Sequence, residues 1–224
     1  MTLESIYQVE QFDINTLPLT ETNSIAKTIL DISQVTIDFA SIERVPRYYT
    51  HRRENNAEHS FMLGLAGVSV AEQHFPKLDS GLVTQFALVH DLVELETMDI
   101  PTFNASEATL AAKEAAEKQA LEVLGSKLNP TLMSYLERYE EQVEPEARLV
   151  RHIDKLLPYS VDINGAGVQV MSEDYDTHSV NELMENNQKL EERFHRMFPE
   201  SSHTQLHGAH TILAHKFALQ FPEI

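Results

Sequence analysis

Two histidines and two aspartates carry the chemistry that the sequence suggests first. His90 and Asp91 lie in the segment 82–96, where Val83, Phe86, Val89, His90 and Val93 share one face at about 100° per residue. Glu94 falls one turn after His90 on the same side. His59 lies on the same side of its helix as Met62, Leu63, Ala66 and Val70. Asp154 falls between Val150 and Leu157, at the edge of an apolar stripe formed with Leu149, Ile153 and Leu156. Ionisable groups on apolar faces are costly unless paired or bound to metal. Any one of them alone also reads as a core residue hydrogen-bonded to a neighbour. Taken together, three helices turn His or Asp inward, and two His with two Asp make an N/O donor set for a divalent transition metal. The chain contains no Cys, so any metal must sit on His, Asp, Glu or carbonyl oxygen.

Arginine is the second anomaly. The chain has 17 Lys+Arg against 35 Asp+Glu and a formal charge of -18, yet Arg44, Arg47, Arg52 and Arg53 fall within ten residues just before His59. A guanidinium is a planar fork suited to phosphate oxygens. The plainer alternative is a solvated loop paired with Glu43 and Glu54. Asp99 precedes Ile100-Pro101 at a helix end, where it serves as a turn residue or aims into a cleft. His203, His207, His210 and His215 crowd the C-terminal region. Gly208 suggests a helix boundary there, and a solvated, capping role is favoured over a second metal site.

The elements that must hold these groups read as helices at roughly 22–42, 57–74, 80–96, 105–125, 130–142, 145–163, 179–198 and 208–220. Pro46, Pro76, Pro101, Pro130, Pro145 and Pro199 fall at boundaries, while Pro158 falls inside a helix and is expected to kink or end it. Asn55 reads as a helix cap with Glu58 three residues on. No segment alternates with β-branched enrichment, so no sheet is expected, and 166–178 reads as an irregular loop or flap. The expectation is an all-α bundle forming a single domain over 1–224, with a motif-bearing core at about 33–162 and C-terminal helices over 179–221.

Composition bounds the partners. With 42% hydrophobic and 23% charged residues the chain reads as an ordinary globular domain. Its acidity argues against nucleic acid or an anionic membrane as the partner, because both need a basic footprint. A small anion in a local basic pocket remains compatible. Residues 1–17 lack a basic start followed by an apolar run, and no apolar stretch reaches the ~18 residues of a spanning helix. A cytoplasmic protein is expected.

The ordered motifs Arg44-Val45-Pro46, Arg53-Glu54-Asn55, Ala57-Glu58-His59-Ser60, His90-Asp91-Leu92-Val93-Glu94, Asp99-Ile100-Pro101 and Asp154-Lys155-Leu156 resemble the HD-domain phosphohydrolases. They are most similar to the branch containing bacterial 5′-deoxynucleotidases, over roughly 33–162. The resemblance implies an all-α bundle, often a homodimer, acting on nucleoside 5′-monophosphates. It implies His59, His90, Asp91 and Asp154 as ligands of one divalent ion (Co, Mn, Zn, Fe, Ni or Mg). Glu94 and Asp99 become the catalytic carboxylates, and Arg44, with Val45 and Arg53 beside it, the substrate contacts. Two departures stand out. Val45 occupies a position where the deoxynucleotidases carry Trp, and Met98 stands where Gly usually precedes the Asp. Two other readings remain open. One is an HD hydrolase of another substrate, such as a (p)ppGpp-like ester or an oxidative substrate at a two-metal site, for which Glu58 is a weak extra ligand. The other is a non-catalytic helical sensor or scaffold.

Overall fold

The computed structural model describes residues 21–103, 105–199 and 204–221. The chain divides into two compact units, Met1–Asp38 and Phe39–Ile224. The described part of the first is nearly all of helix α1 (Glu21–Ala40), which carries an i,i+4 ion pair between Lys27 and Asp31 at 2.9 Å.

The second unit opens with a short antiparallel hairpin, β1 (Glu43–Arg47) and β2 (Arg53–Asn55), pairing Glu43 with Asn55 and Arg47 with Arg53. Helix α2 (Asn56–His74) follows at once. Asn55 starts it with a full capping box, its side chain accepting from the Glu58 amide while Glu58 reaches back to the Asn55 amide. Asp79 caps α3 (Ser80–Val89), and a turn leads to the single-turn α4 (Glu94–Thr97). Ser106 caps α5 (Glu107–Leu124), and Asn129 caps α6 (Pro130–Glu141). The long α7 (Pro145–Asn164) is followed by α8 (Gly167–Asp174). Ser179 and Glu182 form the capping box of α9 (Val180–Met197), and α10 (Thr204–Ala218) ends the fold.

The apolar stripes explain the packing. Leu63 and Ala71 of α2, Val83, Phe86 and Ala87 of α3, Tyr139 of α6, and Leu149, Val150 and Ile153 of α7 bury together. A second cluster joins Tyr159 of α7, Val170 and Met171 of α8, Leu183 of α9, and Ala214 and Phe217 of α10. No helix among the described residues is long and apolar enough to cross a membrane.

The all-α expectation holds, with four local corrections. The Arg-rich loop folds into the small hairpin. The segment 166–178 contains α8 and is not a loop. Pro158 does not end α7, which runs on for six more residues to Asn164. Gly208 is no boundary, because α10 passes through it; His203 lies outside the described residues. The turn from α7 to α8 presses on the hairpin, with the Ala166 amide donating to the Arg47 carbonyl at 3.0 Å. A Cβ at Gly165 would collide with that same carbonyl, so only Gly permits the approach.

The turn that presents Asp99 carries strain. Met98 adopts φ 61° and ψ 166°, a region populated almost only by Gly, and its side chain is 57% exposed. Little packing offsets the conformation. Met98→Gly is therefore expected to stabilise the fold by about 1 kcal/mol after the extra chain entropy of Gly is counted. A melting-temperature rise of about 2–4 °C would register it. A fall would mean that side-chain contacts outweigh the strain.

Candidate active site

The α3–α4 connection is tighter than a continuous helix. The amides of Leu92, Glu94, Leu95 and Glu96 donate to carbonyls three residues back, at 2.9–3.2 Å. This 3₁₀-like turn replaces the single helix expected over 80–96. It gives His90, Asp91 and Glu94 directions that ideal 100° steps do not predict. His59 projects from the first turn of α2, and Asp154 from the middle of α7. The four predicted ligands do meet. One donor atom from each of His59, His90, Asp91 and Asp154 lies within 4.8 Å of every other. It is the one such group among the described residues.

The donor geometry suits a cation. His90 Nδ1 lies 2.8 Å from the Ala87 carbonyl, which assigns its proton to that nitrogen and leaves a lone pair on Nε2. That buried Nε2 has no hydrogen-bond partner, yet it sits 2.9 Å from Asp91 Oδ2 and 3.8 Å from Asp154 Oδ1. His59 Nε2 is 2.9 Å from Asp154 Oδ1. The unprotonated His90 Nε2 and the carboxylate oxygens facing it repel one another, and a cation between them would reverse the sign. Donors at about 2.0–2.2 Å from one ion stand at most about 4.4 Å apart, so a contraction of a few tenths of an ångström completes the shell. The N/O set without thiolate fits the divalent ions that the HD resemblance implies.

Residues behind the ligands hold them in place. Glu54, fully buried on β2, puts Oε2 3.5 Å from His59 Nδ1 and 3.3 Å from Arg44 Nε. Arg44 also donates to Asp91 Oδ2 at 2.8 Å and lies 3.9 Å from Glu94. Burial works against its charge, but Asp91, Asp99, Asp154 and Glu94 together outweigh it and raise its pKa. Glu94 accepts from Asn56 Nδ2 at 2.8 Å and from Lys113 Nζ at 3.0 Å. Burial, with Asp91 and Asp99 nearby, pushes the Glu94 carboxyl up to about 8. Burial also raises Asp99, against the pull of Arg44.

A cavity of about 230 Å³ opens over this cluster. His90, Asp91, Glu94, Asp99 and Asp154 line it, together with Arg44, Val45, Lys113, Arg151 and Lys155. His59 stands behind the wall, fully buried. The structure does not bring Arg53 to the cavity. Its guanidinium donates to the Arg44 and Val45 carbonyls and, at 2.7 Å, to Asp174 Oδ1. Arg47 also turns away, bonding Glu173 at 2.6 Å and Asp174 at 2.7 Å, and Arg52 pairs with Glu58 at 2.8 Å. Only Arg44 of the four faces the site. Glu58, spent on its cap and on Arg52, is not in the ligand group. Of the C-terminal histidines, His207 bonds the Phe198 carbonyl at 3.2 Å, His210 the Tyr159 hydroxyl at 3.1 Å, and His215 the Thr211 carbonyl at 2.8 Å.

Sequence reasoning missed Lys113 and Arg151 altogether, and treated Lys155 only as part of a motif. One signal was available: Lys113 is a cation in the Ala-rich 105–125 stretch, on the half-buried side of a helix that buries Ala120 and Leu124. Its neighbour Glu94 lies nineteen residues away in sequence, so helical periodicity alone could not pair them.

Residues 41–206, about three-quarters of the chain, match the family model of the HD domain. The chain belongs to the HD domain family. This HD domain is similar to the crystal structure of a predicted metal-dependent phosphohydrolase from Magnetospirillum magnetotacticum MS-1. The two share 21% identity over 87% of this chain and 95% of that one, with a TM-score of 0.65. It also resembles an HD-domain phosphohydrolase from Listeria innocua, at 20% identity over 82% and 98% of the two chains and a TM-score of 0.50. At such identities the likeness is one of fold. No curated protein matches the chain.

If the HD cluster is a metal centre, the parent protein should hold one divalent ion per chain by elemental analysis, and added ion should raise its melting temperature. His90→Ala and Asp154→Ala should each lose that ion. Unchanged metal content in both variants would overturn the ligand assignment.

Proposed function

We propose that this HD domain is a metal-dependent phosphohydrolase acting on phosphate monoesters, with nucleoside 5′-monophosphates, ribo or deoxyribo, as its substrates and nucleoside and phosphate as products. One observation carries the reading. His90, Asp91 and Asp154, with His59 behind the wall, share a single cavity with four cations, Arg44, Lys113, Arg151 and Lys155, which stand among the carboxylates of Asp91, Glu94, Asp99, Glu117, Glu140 and Asp154. A divalent ion held by that cluster would offset the excess of carboxylates, and the guanidinium and ammonium groups beside it then suit a small dianion.

His59, His90, Asp91 and Asp154 would hold the ion. Bound there, it would supply Lewis acidity and a more acidic water. The protein does the rest. Arg44, fixed between Glu54 and Asp91, points charge at the phosphoryl group without reorganising. Lys113 and Lys155 neutralise the non-bridging oxygens. Glu94, nearly buried and inclined to keep a proton, is placed to hand one to the leaving 5′-oxygen. Asp99 lines the same cavity and orients the attacking water. Both carboxyls titrate lower beside a cation, which brings them toward the working range.

Val45 lines the cavity and packs against the Tyr159–Phe217 cluster. Tyr49 is exposed and Tyr48 lies beneath the Arg52 guanidinium, so neither fills the space a Trp at 45 would take. Rejecting a 2′-hydroxyl needs a clash or an unsatisfied polar group, and extra room admits it.

Three outcomes are expected. Phosphate release should appear across nucleoside 5′-monophosphates in the presence of a suitable divalent ion, and its absence with every ion and nucleotide would sink the proposal. Glu94→Ala should lower kcat by about 10²-fold or more while metal content stays at the parent level; loss of the ion would instead make Glu94 a ligand. In kcat/KM for dAMP against AMP, the parent should discriminate weakly and Val45→Trp should strengthen the deoxy preference. A strong preference in the parent, unchanged by Val45→Trp, would place selectivity elsewhere.

A further inference from the structure

The cavity does not end at the phosphate. Arg44, Val45, Asp154 and Lys155 also border a second lobe of about 100 Å³, whose remaining wall is largely apolar and aromatic. Phe103 and Tyr175 meet edge to face there, ring centres 4.9 Å apart, beside Tyr159 and Met171. One stripe of α7 runs along both lobes. Asp154 stands at its metal end and Asp162 two turns further on, about 12 Å along the axis at 1.5 Å per residue.

Asp162 is the anomaly in this lobe. It is 5% exposed, and its Oδ1 is buried with no hydrogen-bond partner. Nothing in the phosphate chemistry uses it. A Cβ at Gly167 would collide with Asp162, so Gly at that position lets α8 close over it. Leaving such a group unpaired is costly unless a ligand completes it.

We propose that this lobe is a nucleobase subsite and that the carboxyl of Asp162 reads an edge where a hydrogen-bond donor and an acceptor stand side by side. The inference rests on the nucleotide reading above. Burial, with the Glu54 carboxylate nearby, pushes Asp162 up to about 7, so the acid form is well populated at neutral pH. That form offers one O–H donor and one carbonyl acceptor. Adenine and cytosine present the matching pair as a ring nitrogen beside an amine. Guanine, uracil and thymine present it as a ring N–H beside a carbonyl. An ionised carboxylate offers only acceptors and would serve guanine alone. The aromatic wall supplies contact with the flat ring, so the subsite recognises a base while tolerating its identity.

The test compares kcat/KM for the four deoxynucleoside monophosphates with that for 2-deoxyribose 5-phosphate, which lacks a base. Asp162→Ala should lower kcat/KM for every nucleotide by tenfold or more and leave the baseless ester within about twofold. Asp162→Asn, which keeps a donor beside an acceptor, should recover most of the loss. Equal loss on both substrate classes, or none, overturns the inference, as does a loss confined to guanine. Should no substrate be hydrolysed, the phosphohydrolase reading fails by itself. Calorimetry with deoxyadenosine and deoxycytidine then decides the subsite. Binding by the parent that Asp162→Ala abolishes supports it, and no binding by the parent overturns it.

Discussion

Burying charge is the constraint on which this molecule depends. His59, His90, Asp91, Asp154, Glu54 and Glu94 meet where α2, the α3–α4 turn, α7 and the hairpin converge, and all but Asp91 are almost inaccessible to solvent. Carboxylates removed from water are tolerable only with countercharge or bound protons. Arg44 and Lys113 supply part of the countercharge, and Glu94 meets the demand by holding its proton more tightly. The remainder, lone pairs and oxygens facing one another around the His90 ring, is what a cation would satisfy.

That demand explains the rigidity around the site. The hairpin is too short to persist alone. It is held by α2, whose capping box begins on its last residue, and by α8, whose Glu173 and Asp174 grip Arg47 and Arg53. The two arginines that do not reach the cavity thereby fix the strand that carries Arg44. A guanidinium aimed at a phosphoryl group is effective only if already in position, and the clasp provides that position at a distance.

Much of this was legible in the sequence. The inward faces of α2 and α7 pointed to His59 and Asp154, because an amphipathic stripe fixes direction wherever the helix is regular, while His90 and Asp91 were found at the end of the α3 stripe. The Asn55 cap was legible for the same reason: it is a local pattern. The failures were all tertiary or irregular. All four arginines pair with carboxylates, and Arg47 and Arg53 find theirs on α8, more than 100 residues away, which no local pattern reveals. The hairpin was hidden because the five residues Glu-Arg-Val-Pro-Arg of β1 show no alternation. Continuous helical steps over 80–96 placed Glu94 on the His90 side for the wrong reason, since the chain there steps by three residues and not four.

The net charge of -18 opposes an anionic ligand, whereas the four basic side chains of the cavity, helped by a divalent ion among its six carboxylates, would favour one locally, and distance settles which prevails. At physiological ionic strength exposed charges are largely screened beyond about 8 Å, so most of the acidic surface contributes little at the cavity mouth. Arg44 and Lys113 are largely buried, so they are screened less and act at close range. The acidic surface therefore tempers approach without governing occupancy. It also disfavours polyanions, whose many phosphates cannot all reach the few buried cations and must lie against the acidic exterior. This is the physical basis of the proposed preference for one small dianion over a nucleic acid. The selection follows from where the positive charges are buried, and their number is secondary.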